Sequence, residues 1–337
     1  MTQPLSLNSQ AILLLTAPLV AGRGEPSPEL LSLGEFNRLV RLLREKRKEP
    51  AELIGSDAEE IINHCALAFG RERLDQLLGR GFQLSQAVDR WNSCSIWITT
   101  RDEDNYPSRI SDRLKEDAPP VFYGCGNIRL LESGGLAVVG SRQVDEQLIS
   151  FTEQVGKLAA TAKRTIISGG AKGIDRASMH GALQAGGKVI GVMADSLERA
   201  VLARDNREPL MDDQLVLISP YDPAAGFNVG HAMQRNKLIY ALADAGLVVT
   251  SDFETGGTWA GAIEQLERLR YVPVFVGNSS NEGKGNSALL RRGGLPWPNP
   301  QDAAEFSDAM AKAAATVAAV PQQEMLSFVL REEPPKR

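Results

Sequence analysis

The sequence predicts an α/β protein: a doubly wound parallel sheet preceded by a small all-helical N-terminal domain. Three observations carry this. Residues 1–95 repeat their apolar side chains at helical spacing, whereas from Ile96 short apolar runs alternate with amphipathic ones. Those runs are near-continuous in Val, Ile, Leu and Ala, the pattern of strands buried on both faces. Three of them stop at a glycine-bearing turn that opens onto a polar helix start.

Taken in order, Leu30, Leu31, Leu33, Phe36, Leu39, Val40, Leu42 and Leu43 trace a helix that ends in the charged Arg44–Glu49 stretch and Pro50. Ser56-Asp57 starts another, carrying Ile61, Ile62, Cys65, Leu67 and Phe69. Shorter helices follow around Leu74–Leu78 and Leu84–Trp91, punctuated by Gly70, Gly79 and Gly81. Ser95–Thr99 is strand-like, and Tyr106-Pro107 and Pro119-Pro120 punctuate a connecting segment. Strands are expected at Leu136–Val139, Thr165–Ile167, Val189–Val192, Leu215–Ile218, Leu247–Thr250 and Pro273–Val276. Helices are expected at Glu146–Ala162, Asp175–Ala185, Ala232–Ala243 and Thr258–Leu269. The expected divisions are 1–95, 96–300 and a helical tail at 301–337 whose charged, Pro-containing end reads as disordered.

Composition narrows the function. A net charge of -5 excludes a protein coated in basic surface, so any nucleic-acid binding must come from a local cleft. Cys65, Cys94 and Cys125 form no CxxC pair, and the three histidines are scattered, so reduced thiols and no metal site are expected. The run Ala11–Leu15 has no basic residue before it and is interrupted by Pro18, unlike a signal peptide. No stretch approaches the roughly 20 apolar residues of a membrane span. A cytoplasmic protein without membrane contact or cofactor is expected. The basic cluster Arg41-Arg44-Lys46-Arg47-Lys48 reads as a solvated helix end.

The turns carry the chemistry. They are Gly140-Ser141-Arg142, Ser168-Gly169-Gly170-Ala171-Lys172-Gly173 and Gly256-Gly257-Thr258. In a parallel sheet all three lie at strand carboxyl ends on one edge, where backbone N–H groups and helix N-termini favour phosphate. Arg142 offers a planar fork for phosphate, and Ser141 can cap the next helix. The second turn lacks the Gly-Lys-Ser/Thr ending of a P-loop and the glycine spacing of the dinucleotide fingerprint. Asp175 is expected to cap the helix that follows, and His180 to be structural. Arg235-Asn236-Lys237 is expected to open a helix, with two cations flanking a hydrogen-bonding amide. Glu264 reads as solvated or salt-bridged. Tyr240, Trp259 and Phe227 are candidate base-stacking rings, with core packing the competing reading for Tyr240 and Phe227.

As an ordered set these segments resemble the DNA-processing protein A (DprA/Smf) family, from about Ile96 to Pro298. The resemblance rests on Asp104-Asn105-Tyr106-Pro107, Pro119–Asn127, Ala137–Arg142, Ser168–Asp175, His180-Gly181-Ala182-Leu183, Arg235–Ile239 and Gly285–Gly294. It implies a Rossmann-like, non-enzymatic protein that binds single-stranded DNA, shields it, and loads a RecA-type recombinase during transformation, as a homodimer. By motif, Arg142, Arg235 and Lys237 would grip phosphates, and Gly169, Gly170 and Gly173 would let the strand approach. Arg207, after Asn206 and with Arg204 nearby, fills the family's further basic slot. The chain departs from the family at Gly256–Gly261 and at Thr250-Ser251, where an acidic residue is usual. Lys237 stands where Arg is frequent. The residues after Pro300 are too few for the winged helix often appended. A defence role is compatible with these departures. The competing reading is a nucleotide-binding protein or a LOG-like nucleoside-monophosphate phosphoribohydrolase, for which Gly256-Gly257-Thr258 and Glu264 would serve; a third is a scaffolding partner with a vestigial pocket.

Overall fold

Two N-terminal helices start at side-chain caps, whereas the helix expected to start at Ser56-Asp57 begins after Asp57 with no side-chain cap. Ser6 accepts from the Ser9 amide to begin α1 (Leu7–Thr16), and a Ser32/Glu35 capping box begins α2 (Leu33–Glu45). α3 (Ala58–Phe69), α4 (Arg71–Leu78) and α5 (Gly81–Ser93) complete the N-terminal set. The computed structural model describes residues 5–19, 28–277 and 284–318; the end of the predicted tail lies outside them.

Next come β1 (Trp97–Thr100), α6 (Ser108–Leu114), β2 (Val121–Gly126), β3 (Leu136–Val139), α7 (Glu146–Thr161), β4 (Ile166–Ser168), α8 (Ile174–Gln184) and β5 (Val189–Val192). They are followed by α9 (Leu197–Val201), α10 (Arg204–Met211), β6 (Leu215–Ser219), α11 (Val229–Leu242), β7 (Ala245–Val248) and α12 (Gly256–Ile263). A π-helical turn, β8 (Val274–Val276), α13 (Lys284–Arg291), β9 (Leu295–Pro296) and α14 (Ala303–Ala318) close the described chain.

The described strands form one nine-stranded sheet in the order β1-β2-β6-β5-β4-β3-β7-β8-β9. From β6 to β9 every pairing is parallel, as the apolar runs predict. The other edge differs: β2 runs antiparallel to both β1 and β6. Val121–Gly126 was expected within a connecting segment; Pro119-Pro120 obscures a strand whose Val121, Phe122, Tyr123 and Cys125 are buried.

Side chains alternate between the sheet faces. Leu136, Val138, Ile166, Val189, Leu215 and Leu217 share a core with α7, α8, α14 and the N-terminal helices. Ala137, Val139, Ile167, Ile190, Val216 and Ile218 pack against α6, α11, α12 and α13. The carboxyl ends of β3 to β7 therefore meet on one rim. Because Thr100 pairs with Val121 and Tyr123 with Ser219, β1 ends on that rim too. The chain direction across the sheet reverses between β3 and β7, which opens a crevice there.

Arg80 fastens α1 to the rest. Its side chain is 6 % exposed and donates to the carbonyls of Ala17 at 3.0 Å, Pro18 at 3.3 Å and Leu14. These carbonyls lie at the helix C-terminus, where a cation also meets the negative end of the dipole. Arg80→Met is expected to leave them buried without donors and to lower unfolding free energy by about 2–4 kcal/mol in a urea titration.

Candidate nucleic-acid interface

The three glycine turns do come together. The β4 turn abuts the β3 turn: a Cβ added at Gly173 would stand 2.8 Å from the Arg142 carbonyl oxygen. The third turn is tied to the first through Thr258, whose hydroxyl donates to the Gly140 carbonyl at 3.0 Å. Across the crevice the Ser141 amide donates to the Thr250 carbonyl at 3.1 Å. Asn236 binds the third turn from α11, donating to the Gly257 carbonyl at 3.0 Å.

Beneath the second turn lies Arg235, 5 % exposed. Its guanidinium donates to the Val192 carbonyl at 2.9 Å and fills the space a side chain at 169 would need, a Cβ there standing within 1.4 Å of its Nη1. Only glycine at 169 admits that approach. Burial pushes the Arg235 guanidinium down in pKa, and its Nε, also buried, has no partner. The residue does not open a helix as expected. Asn228 caps α11 well upstream, so Arg235 sits in mid-helix, facing the sheet rather than solvent.

Asp175 also differs from expectation. α8 begins at Ile174 behind Gly173, and Asp175 is its second residue. Its carboxylate reaches back to accept from the amides of Gly169 at 3.2 Å and Ala171 at 3.4 Å. It clamps the loop instead of capping the helix, and it occupies two amides expected to face a ligand. Burial raises its pKa to about 6 against the opposing pull of Arg235, the loop amides and Arg142. Likewise Ser141 does not cap α7; Asp145 does, accepting from the Leu148 amide at 2.8 Å.

Above this buried layer Arg142 and Lys172 are exposed, and among the described residues neither forms an ion pair. The Arg142 guanidinium lies 5.7 Å from the ring centroid of Phe227, itself 59 % exposed. Farther along the rim, Tyr221 stacks on His231 with centroids 3.7 Å apart, a pair the sequence reading did not single out. Gly140, Gly170, Gly256 and Ser168 shape the turns, Ser168 by donating to the Val138 carbonyl at 2.7 Å.

The other predicted cations are placed differently. Lys237 lies 3.4 Å from Glu264, which also pairs with Arg268, so its charge is largely spent within the fold. Arg204 and Arg207 are exposed on α10 and make no contact with the cluster through a hydrogen bond or ion pair among the described residues. Asn206 donates to the Ala200 carbonyl at 2.9 Å, joining α10 to α9. Tyr240 is core, 1 % exposed, and Trp259 is buried against Phe253 and beneath Arg292. His180 is exposed and hydrogen-bonded to Glu153 and Gln184. Among the described residues no three His, Cys, Asp or Glu side chains group to hold a metal, and no helix is long and apolar enough to cross a membrane.

Fold and rim together define a Rossmann-like protein that presents an exposed cationic edge over a buried arginine, without a fingerprint nucleotide loop. The model of the family described as DNA recombination-mediator protein A matches residues 97–308, well over half of the chain, and the chain belongs to that family. It is 29 % identical over 274 residues to DNA processing protein DprA of Streptococcus pneumoniae, covering 80 % of this chain and 93 % of that one. It is 30 % identical over 215 residues to protein Smf of Escherichia coli, covering 60 % of this chain and only 54 % of Smf. The X-ray structure of Streptococcus pneumoniae DprA superposes with a TM-score of 0.60 at 23 % identity, covering 82 % of this chain and 98 % of that one. The single-stranded-DNA-binding DNA processing protein A of Helicobacter pylori superposes with a TM-score of 0.53 at 23 % identity, over 65 % of this chain and 98 % of that one.

The Asp175 clamp has a pH signature. A carboxyl with a folded pKa above its unfolded value, about 3.8, holds its proton more tightly when folded. Its contribution is therefore full at low pH and is lost as pH rises through about 6. Asp175→Asn keeps an acceptor for the loop amides but cannot ionise. Unfolding free energies from urea titrations at about pH 4 and pH 7 are expected to move in its favour over wild type by about 2 kcal/mol across that interval.

Proposed function

We propose that this chain binds single-stranded DNA along the rim and acts on it without covalent chemistry, protecting the strand or handing it on in recombination, transformation or defence. The observation that carries the reading is the pairing of Arg142 and Lys172, exposed and free of ion pairs among the described residues, with the turns that pack against the buried Arg235. In the proposed complex Arg142 and Lys172 neutralise phosphates, Phe227 offers a stacking face beside Arg142, and Arg235 adds positive potential from below. Glycine at the turns lets the backbone approach the strand. Family membership and the single-stranded-DNA-binding relative from Helicobacter pylori support the same reading. Within it, transfer of the strand to a RecA-type recombinase, homodimerisation and a cytoplasmic location are the finer expectations. Phosphoribohydrolase chemistry finds less support, because Glu264 is held in ion pairs with Lys237 and Arg268.

A fluorescence-anisotropy titration with oligo-dT at low salt tests the proposal. Wild type is expected to bind with log K falling linearly against log salt concentration. Arg142→Ala is expected to weaken binding about tenfold and to lower the salt slope by about one. Intact wild-type protein that binds no oligo-dT contradicts the reading.

A further inference from the structure

The rim does not end at the glycine turns. Where β1 stops, the next residue is Arg101, and beside it a cavity of about 310 Å³ opens between α2 and the segment around α6. Arg41 and Arg44 line it from α2, Arg101 from the end of β1, and Lys115 from the end of α6; Asp102 and Glu116 are its carboxylates. Four cations thus face two acids. Among the described residues none of the four joins an ion pair, although Lys48 beside them on the same helix end does.

Arg101 is held as a built element rather than a loose surface charge. Its Nη1 donates to Asn37 Oδ1 at 2.8 Å and its Nη2 to the Glu116 carbonyl at 3.0 Å, while its guanidinium lies 6.0 Å from the Phe36 ring centroid. Its Nε is buried without a partner. The half-buried guanidinium touches only neutral oxygens and a ring directly, and the Glu116 and Asp117 charges act on it from a distance. A concave site with excess positive charge and an arginine fork suits a phosphate oxyanion.

Placement supplies the connection. In strand order β2, β6 and β5 lie between β1 and β4, so the two cationic regions stand four strand spacings apart, roughly 19 Å along a rim that curves with the sheet. Between them the stacked Tyr221–His231 pair and Pro120 line a smaller cavity of about 190 Å³. The rim reads cations, aromatic rings, cations. That order matches a single strand whose phosphates are neutralised while its bases stack.

We propose that the Arg41/Arg44/Arg101/Lys115 cavity is a second phosphate site for the same strand, so that a long oligonucleotide runs from the glycine turns across Tyr221 and His231 to the end of β1. The proposal rests on the single-stranded DNA reading above. The test compares wild type with an Arg44→Gln/Lys115→Gln double variant, both positions exposed, on oligo-dT of roughly 4 and roughly 16 nucleotides. The short strand is expected to bind both proteins alike. The long strand is expected to bind the variant about tenfold more weakly, with the salt slope lower by about two. Equal affinity for the long strand, or equal loss on both lengths, overturns the second site while leaving the first standing. Wild type that binds neither length refutes the underlying reading instead. Inorganic phosphate is the competing probe. Because it would occupy the same cavity, saturating phosphate is expected to narrow the difference on the long strand more than it weakens the short one; a difference that it leaves untouched overturns the cavity as a phosphate site.

Discussion

The burial of Arg235 under Gly169 organises the rim. Taking a guanidinium from water is costly, and the cost falls as its donors are met and its charge is offset. Here the Val192 carbonyl meets one donor, and Asp175 lies near enough for its charge to oppose the cost of burial. That arrangement fixes the distance between α11 and the ends of β4 and β5. It also forces glycine at the start of the loop that carries Lys172. Asp175 then fastens the loop amides from behind. The exposed cations above are consequently mounted on a rigid turn, and little ordering entropy remains to be lost when a strand settles there.

The two charges work at different depths. Arg142 and Lys172 are wet and screened, and their contribution falls as salt rises. Arg235 is dry, so its field at the rim is screened less. A rim of this kind can attract a polyanion in a protein whose net charge is -5, because attraction is set by local geometry and not by the total.

Much of the fold was legible in the sequence. The strands Leu136–Val139 and Val189–Val192 have their predicted bounds because doubly buried strands are uninterrupted apolar runs. Their common rim follows from parallel topology alone. β2 was obscured by Pro119-Pro120 and by a composition that mixes Tyr, Gly and Cys. Within the candidate site, the exposure of Arg142 and Lys172 on the rim could be read from local sequence, since a residue just past a strand end is placed by the strand. The surroundings of Arg235 and Lys237, which the sequence also singles out, could not: whether a cation in mid-helix faces solvent, sheet or a carboxylate depends on where the helix starts and what crosses it. Asn228 sets that start, and Glu264 meets Lys237 from another helix. The same limit hid the role of Asp175, whose amide donors lie behind it in the chain, and the cavity at Arg101, which exists only because α2 lies across the end of β1.

Hydrogen–deuterium exchange with and without saturating oligo-dT tests the location of the interface most directly. The account predicts slowed exchange in the turns at residues 140–142 and 168–173, with the face formed by α7 and α14 unchanged. Saturated binding that leaves those turns unprotected and slows exchange elsewhere would contradict it.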